Sequence, residues 1–421
     1  MKILLVVKSK MMENLGVMYL SAVIKQAGHE CRIADLKEVK SFWFPYREYD
    51  PDIVGFSVMT GDMPKFYGLK LWLTSQYCKT NKKPIFIVGG PDPTFFPQGY
   101  GWADYVFKGE AEQQIVDLFF HSGGPWCPYH DIDSLPWPDR KDFPNFKVRD
   151  FITSRGCPYR CRYCYNAKWS DMFPEQKGVR TRAASNVVAE IEAVNPEYVF
   201  FQDSCFGVSM RWMRDFASQY ASKVHIPYQC NLRPEQVKPA MVKLLKLSNC
   251  VAVRMALESA SNRLRSMVGR GNINLTAVRY ACELLRKAKI KLMLQNIIGL
   301  PTSTIEDDLF TLETNIAYAP TYAWVSIYQP YPGTELGDQC KAEGQYKGDY
   351  SDITDSFFET SHLDFSDIHR EQLEILQKIF ALCVDKKYMP EIKELTYKNL
   401  PALIHKIMRK DGDRKLYLGV L

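Results

Sequence analysis

Phe151-Ile152-Thr153-Ser154-Arg155-Gly156-Cys157-Pro158-Tyr159-Arg160-Cys161-Arg162-Tyr163-Cys164 is the stretch on which the reading of this chain turns. Three cysteines spaced C-x3-C-x2-C follow directly on a short strand-like run, so their sulfurs can converge on one small, soft centre. A structural zinc needs four closing ligands, usually as two pairs, and no C-x2-C or H-x3-H partner pair lies downstream. Three thiolates suit a [4Fe–4S] cluster with one iron left open to a substrate or cofactor. The plainer alternative is three free cysteines in a loop. Free cysteines are usually buried on regular elements, whereas these lie in a polar turn rich in Gly, Pro and Arg.

The chain around this loop has 421 residues, more than one domain of about 100–200, so two or three units are expected. A hydrophobic content of 46% and a charged content of 24% are ordinary soluble-globular values. The net charge of +6 is spread along the chain and argues neither for nor against nucleic acid, and none is expected as a partner. Twelve cysteines occur in a long chain that opens on the strand Lys2–Val7 without a cleavable signal peptide, which favours the reducing cytosol over a disulfide framework. No apolar run approaches a membrane span of about 18–20 residues. A soluble, cytoplasmic protein is expected.

Upstream of the loop, apolar runs alternate with helix-period segments. Residues 2–7 read as a strand buried on both faces. A helical stripe with Leu15, Met18 and Ala22 on one side ends at Gly28. Strands follow at 29–35, 52–58, 84–90 and 105–107, with helices at 65–79 and 111–120. This order predicts a doubly wound, Rossmann-like parallel sheet over 1–120, with ligands at the carboxyl ends of its strands. Those ends carry Met59-Thr60-Gly61 and Gly89-Gly90-Pro91-Asp92-Pro93-Thr94, and a shorter strand leads into Gly109-Glu110. Residues 121–148, with Gly123, Gly124, Pro125, Pro128, Pro136, Pro138 and Pro144, read as a linker that Trp126 and Trp137 pack along a surface.

From 149 to 335 the alternation restarts, with strands at 148–154, 198–202, 227–231, 251–258, 291–298 and 324–329. Helices are expected at 185–194, 210–221, 235–247 and 275–289. Polar residues stand where these strands end: Gln202-Asp203, Asn231 with Arg233, and Glu258-Ser259-Ala260-Ser261. Residues 336–421 carry amphipathic stripes at Leu373, Leu376, Phe380 and Cys383 and at Leu400, Leu403, Ile404 and Ile407, which mark a mainly helical region.

The spacing C-x3-C-x-aromatic-C, with Tyr163 as the aromatic, resembles the cluster loop of the radical S-adenosylmethionine (SAM) superfamily. The resemblance implies a partial (β/α)6 barrel of the TIM type over 149–335, with a [4Fe–4S] cluster on Cys157, Cys161 and Cys164. Its open iron would chelate SAM, whose one-electron reduction yields a 5′-deoxyadenosyl radical. Carried over motif by motif, Tyr163 would back the adenine and Gln202 and Asp203 would hold the amino group. Asn231 and Arg233 follow the third strand, where a basic residue would take the carboxylate. Arg254 stands inside the next strand, open to the SAM carboxylate, the substrate or a structural ion pair. Glu258 and Ser259 match the ribose-binding turn, although Ala260 replaces its usual glycine. Ile298, in Gln295–Pro301, matches the adenine-contacting strand end, and Tyr328 opens the Pro-x-Pro-Gly-Thr close of the core.

Residues 1–120 resemble the cobalamin-binding domain that precedes the radical SAM core in one large branch of the superfamily. The likeness rests on the sheet order, Asn14-Leu15-Gly16, the Gly-Gly-Pro-x-Pro-Thr turn and Gly109-Glu110-x-Glu112. It implies cobalamin contacts from Met59, Thr60, Gly61, Gly89, Gly90, Pro91, Asp92, Thr94, Gly109 and Glu110. The loop that often supplies a D-x-H-x-x-G histidine is here Lys8–Glu13, with neither Asp nor His, and Asp92 stands where the turn commonly has His. Cobalt would therefore lack a protein imidazole on that face.

What the resemblance implies as the reaction is cobalamin-dependent C-methylation of an unactivated carbon. Rearrangement or cyclisation, with or without cobalamin, is the alternative, and a non-catalytic iron–sulfur binding or sensor protein the alternative of another class. A methylthiotransferase is disfavoured because Cys31, Cys78 and Cys127 lack that group's N-terminal cysteine pattern. The expected partners are a small-molecule or peptide substrate and a low-potential electron donor such as flavodoxin or ferredoxin. In the family the C-terminal region often helps to cover the substrate.

Overall fold

The computed structural model describes residues 1–41, 49–77, 83–119, 131–144, 146–391 and 394–409. The first sheet contains β1 (Lys2–Val7), β2 (Glu30–Asp35), β3 (Ile53–Ser57), β4 (Ile85–Gly89) and β5 (Tyr105–Val106), all parallel, in the order β2-β1-β3-β4-β5. Along β1 the side chains divide by parity. Ile3, Leu5 and Val7 enter a core with the helix Leu15–Gln26, while Leu4 and Val6 enter a second core with the helix Met63–Tyr77. Apolar residues at every position are what a strand covered on both faces requires. Asn14 caps the first helix, its Oδ1 accepting from the Val17 amide at 3.2 Å. The order reverses between β1 and β3, which places the ligand crevice of such a sheet there.

Short strands then frame the cysteine loop. β6 (Val148–Phe151) begins the second sheet, and β7 (Ser154–Arg155) pairs antiparallel with β8 (Arg180–Thr181) in a small ribbon. The second sheet continues with β9 (Tyr198–Phe201), β10 (Tyr228–Leu232), β11 (Cys250–Glu258), β12 (Lys291–Ile298) and β13 (Tyr322–Ile327). All six strands are parallel, ordered β13-β12-β11-β10-β9-β6, and form an open, partial barrel. Its outward residues pack on helices that include Ala184–Val194, Met210–Lys223 and Leu275–Lys287. The helix expected over 235–247 divides into a 3-10 turn, Pro234–Gln236, and a helix, Pro239–Leu247, because Pro239 fits only a first helical turn.

The joining segment is packed where it is described. Ile132, Leu135 and Phe143 enter a first-sheet core, and Trp137 Nε1 donates to Asn186 Oδ1 at 3.0 Å. The expectations placed on Gly123, Gly124, Pro125, Trp126, Cys127 and Pro128, and on Cys78, lie outside the described residues. The C-terminal helix Asp367–Asp385 sets Leu373, Leu376, Phe380 and Cys383 against Ala323, Val325 and Ile327, so this face covers the outer wall of β13. Residues just before that helix reach the first sheet: Asp355 pairs with Lys8 at 2.6 Å and with Lys65. No helix of the described residues is long and apolar enough to cross a membrane.

Candidate active site

The cysteine loop is fastened at both ends. After β6, the amide and hydroxyl of Thr153 and the hydroxyl of Ser154 donate to the buried Asp203 carboxylate, at 2.6 Å for each hydroxyl. Gly156 then turns the chain at φ +88, where a Cβ would stand 2.0 Å from the Gly178 carbonyl oxygen, so no side chain fits. Cys157, Cys161 and Cys164 follow as free thiols, and Cys164 is the N-cap of the helix Tyr165–Met172. Among the described residues no three Cys, His, Asp or Glu side chains converge on a single metal ion. Three thiols on one loop with the Arg233 and Arg270 guanidinium groups beside them are a donor set that suits an iron–sulfur cluster.

Charge is concentrated on this loop. Burial raises the Cys157 thiol, and the guanidinium groups of Arg233 and Arg270 oppose that shift. Arg233 lies 3.7 Å over the Tyr159 ring, donates from Nη1 to Cys161 Sγ at 3.5 Å, and pairs with Glu235 at 2.8 Å. Arg270 pairs with Glu258 at 3.0 Å, and Glu258 also accepts from the Tyr163 hydroxyl. On the helix after Cys164, Asn166 Nδ2 donates to Cys164 Sγ at 3.6 Å and to Ser204 Oγ at 3.2 Å.

A cavity of about 680 Å³ lies between the two sheets. It falls in the upper half of the usual range of ligand sites, about 300–1,000 Å³. One wall is the carboxyl edge of the first sheet, with Asn14, Gly16, Met59, Gly89, Gly90 and Pro91. Opposite stand Gly156, Asn166, Trp169, Gln202 and Ser204, beside the cysteine loop. Gly16 leaves bare backbone at this surface; a Cβ there would meet only Asn14 Oδ1, at 3.7 Å. Glu110 closes one end, bound to Arg155 at 3.1 Å and to Arg180 at 2.9 Å, and these two cations hold its carboxyl below the usual range despite burial.

The structure brings together many of the residues singled out from sequence and separates others. Met59, Gly89, Gly90, Pro91, Gly109 and Glu110 line the cavity. Thr60, Gly61, Asp92 and Thr94 stand behind it. Thr60 Oγ1 meets the Tyr165 hydroxyl at 3.0 Å, and Gly61 packs on the backbone of 353–355. Asp92 is buried against the Tyr100 hydroxyl, and Thr94 Oγ1 joins the Gly90 carbonyl to the Gly109 amide.

In the barrel, Tyr163, Arg233 and Glu258 gather at the loop. Gln202 lines the cavity and donates to Asp150 at 3.1 Å, and Asn231 Nδ2 donates to the Asp203 carbonyl at 2.9 Å. Both Asp203 carboxylate oxygens face the chain segment that carries the cysteines. Ser259 is fully buried, 3.4 Å from Thr311 Oγ1. Ile298 turns its side chain into the helix layer, and Ile297 is its lumen-facing neighbour. Tyr328 is buried with Leu336, Cys340 and Tyr346, and Arg254 stands lower in the barrel over Phe200. Sequence reasoning did not single out Arg270, Asn166, Trp169 or Glu13. The i, i+3 spacing of Asn166 and Trp169 on a helix starting at Cys164 was the available signal.

Two family models match the chain. Residues 1–119 match the B12 binding domain model, and residues 151–313 match the radical SAM superfamily model. The chain thus joins a cobalamin-binding domain to a radical SAM domain. It is 25% identical over 365 residues to an uncharacterised methyltransferase of Pyrococcus horikoshii, covering 76% of this chain and 77% of that one. It is 24% identical over 373 residues to an anaerobic magnesium-protoporphyrin IX monomethyl ester cyclase of Cereibacter sphaeroides, covering 76% of this chain and 59% of the cyclase. The fold is shared with the radical SAM methyltransferase TsrM of Kitasatospora setae, at a TM-score of 0.65 and 16% identity over 81% of this chain and 76% of TsrM.

Proposed function

We propose that this chain binds a [4Fe–4S] cluster on Cys157, Cys161 and Cys164 and cobalamin in the cavity between its sheets, and acts on an unactivated carbon of its substrate between them. The observation that carries this reading is the cavity itself, walled on one side by the first sheet and on the other by residues beside the cysteine loop. When bound, the reduced cluster with SAM supplies the 5′-deoxyadenosyl radical, and cobalamin supplies a partner for group or electron transfer.

The protein's own part is position and charge. Arg233 and Arg270 offer guanidinium groups for the SAM carboxylate beside the cysteine that binds the cluster. Glu258, fixed by Arg270 and Tyr163, presents an acceptor at the end of β11 for the ribose hydroxyls. Asp203 fixes the cysteine loop by its grip on Thr153 and Ser154. Bare glycine backbone at Gly16, Gly89 and Gly90 lets a broad ring approach the first sheet. A low-potential donor such as flavodoxin or ferredoxin would deliver the electron.

Two outcomes remain for the substrate carbon. Ring closure or rearrangement has behind it the cyclases that align over 69–76% of the chain. C-methylation has the methyltransferase name of the Pyrococcus relative and the shared fold of TsrM. The two differ in products. Methylation consumes a second SAM and releases S-adenosylhomocysteine with 5′-deoxyadenosine, whereas ring closure or rearrangement releases no S-adenosylhomocysteine. Chromatography of the products of the cobalamin-loaded, reduced enzyme therefore separates them, and absence of both nucleosides refutes the reading as a whole.

A further inference from the structure

Four neighbouring strands of the second sheet share one burial pattern. In β10, β11, β12 and β13, residues facing the helix layer are buried while lumen-facing residues such as Gln229, Asn231, Arg254, Gln295 and Trp324 are partly exposed. A closed barrel of this kind fills its interior with packed layers of side chains. Here solvent reaches the inward residues, so the lumen is open.

Arg254 is a cation of that lumen. Its guanidinium carbon lies 4.1 Å from the Phe200 ring centroid, and its Nε is shut from solvent with no hydrogen-bond partner. Among the described residues it forms no ion pair. The Nε atoms of Arg140, Arg180 and Arg270 are likewise shut in without a hydrogen-bond partner, but those arginines hold ion pairs, as does Arg182 with Glu190 at 2.6 Å, and Arg265 donates to the carbonyls of Ile273, Ser259 and Ala260. Burial pulls the Arg254 pKa down, and the charges of Asp150 and Tyr198 oppose it. Asp150 does not close on Arg254; its Oδ1 accepts from Gln202 at 3.1 Å.

An arginine with a shielded Nε and no ion pair keeps its planar fork for a ligand, and that fork matches an oxyanion. Arg254 also precedes Glu258 by four residues, with a β-bulge between Ala256 and Glu258. By register it sits opposite Asn231, two residues before Arg233, and so below the strand ends where Arg233, Arg270 and Glu258 meet the cysteine loop. We infer that the open lumen holds the substrate by an oxyanion, a carboxylate or a phosphate, on Arg254, with Phe200 and Trp324 as apolar walls. What happens to the bound molecule rests on the function proposed above; the binding does not.

The test uses the full chain, reconstituted anaerobically, with benzoate, phenyl phosphate and neutral benzamide as probes. Phenylglyoxal modification of Arg254 is followed by peptide mass spectrometry, with the exposed Arg279 as internal reference. At roughly ten times its dissociation constant, the favoured anion slows Arg254 labelling about tenfold by mass action while benzamide does not. Preference for benzoate or for phenyl phosphate tells carboxylate from phosphate. R254Q loses the anion effect in saturation-transfer NMR, and R254K, which keeps the charge without the fork, retains a weaker one. Equal protection by benzamide, or an Arg254 that never reacts, overturns the inference. So does a SAM dissociation constant raised about tenfold or more in R254Q, about 1.4 kcal/mol, which would assign Arg254 to SAM. Anion protection in a chain that cannot cleave SAM would remove the proposed reaction and still support this site.

Discussion

Arg140 Nη1 donates to Glu13 Oε2 at 2.6 Å, and the two residues come from the joining segment and from the loop that enters the first sheet's cavity. The same guanidinium reaches Glu190 at 3.1 Å and the Asp150 carbonyl at 2.8 Å, while Glu13 also takes Arg149 at 2.7 Å and the Asp150 amide at 2.7 Å. The Glu13 and Glu190 side chains are each 1% exposed, so this network is buried where the two units meet. Removing Arg140 takes one cation from two buried carboxylates and leaves Glu13 on Arg149 and Glu190 on Arg182. R140A is expected to cost about 3–5 kcal/mol in urea unfolding, far above the cost of losing a surface pair.

Gly90 sits at φ +108, and a Cβ there would stand 2.7 Å from the Val58 carbonyl oxygen. G90A should therefore displace the turn between β4 and the cavity, at about 1–3 kcal/mol of backbone strain besides the clash. Protein loaded with cobalamin is expected to keep its corrinoid absorbance through desalting, and G90A to lose most of it. Retention by G90A equal to wild type would place the corrinoid elsewhere.

The thiols of Cys157, Cys161 and Cys164 lie in a loop held mainly by Asp203, Arg233 and the β7–β8 ribbon. C157A, C161A and C164A should each abolish the brown cluster absorbance while far-ultraviolet circular dichroism stays within error of wild type. Collapse of the fold would mean a structural metal.

Asp308 is fully buried and accepts the Gly299 amide at 3.2 Å, at the turn that follows β12. Burial pushes its carboxyl up to about 8 from an ordinary value of 3.8. The native state then keeps the proton where the unfolded chain has lost it. This contribution to stability is complete below about pH 4 and falls as pH rises through about 8, with a slope of at most about 1.4 kcal/mol per unit. D308N cannot ionise. Thermal unfolding should show wild type losing ground to D308N between pH 5 and pH 8, and parallel curves would refute the shift.

How far the sequence carries this picture depends on the range of the forces involved. The alternation of apolar runs and helical stripes locates both parallel sheets, because a strand buried on both faces, such as Ile3–Val7, needs apolar residues at every position. The cysteine spacing is equally local. By contrast, β7 and β8 are two residues each, too short for any periodicity. The Glu13–Arg140 bond spans 127 positions and leaves no local trace. Strand parity turns Ile298 away from the lumen, and only the register against β11 and β13 fixes that parity. Asp203, readable from sequence as a polar strand end, meets Thr153 and Ser154 only once β6 and β9 pair.

The most direct test of the central claim is SAM cleavage by the full chain. The protein, reconstituted anaerobically with iron and sulfide and reduced with dithionite in the presence of SAM, is assayed for 5′-deoxyadenosine by chromatography. 5′-Deoxyadenosine is expected from wild type and none from C161A. A wild-type chain with full cluster absorbance and no 5′-deoxyadenosine would contradict it.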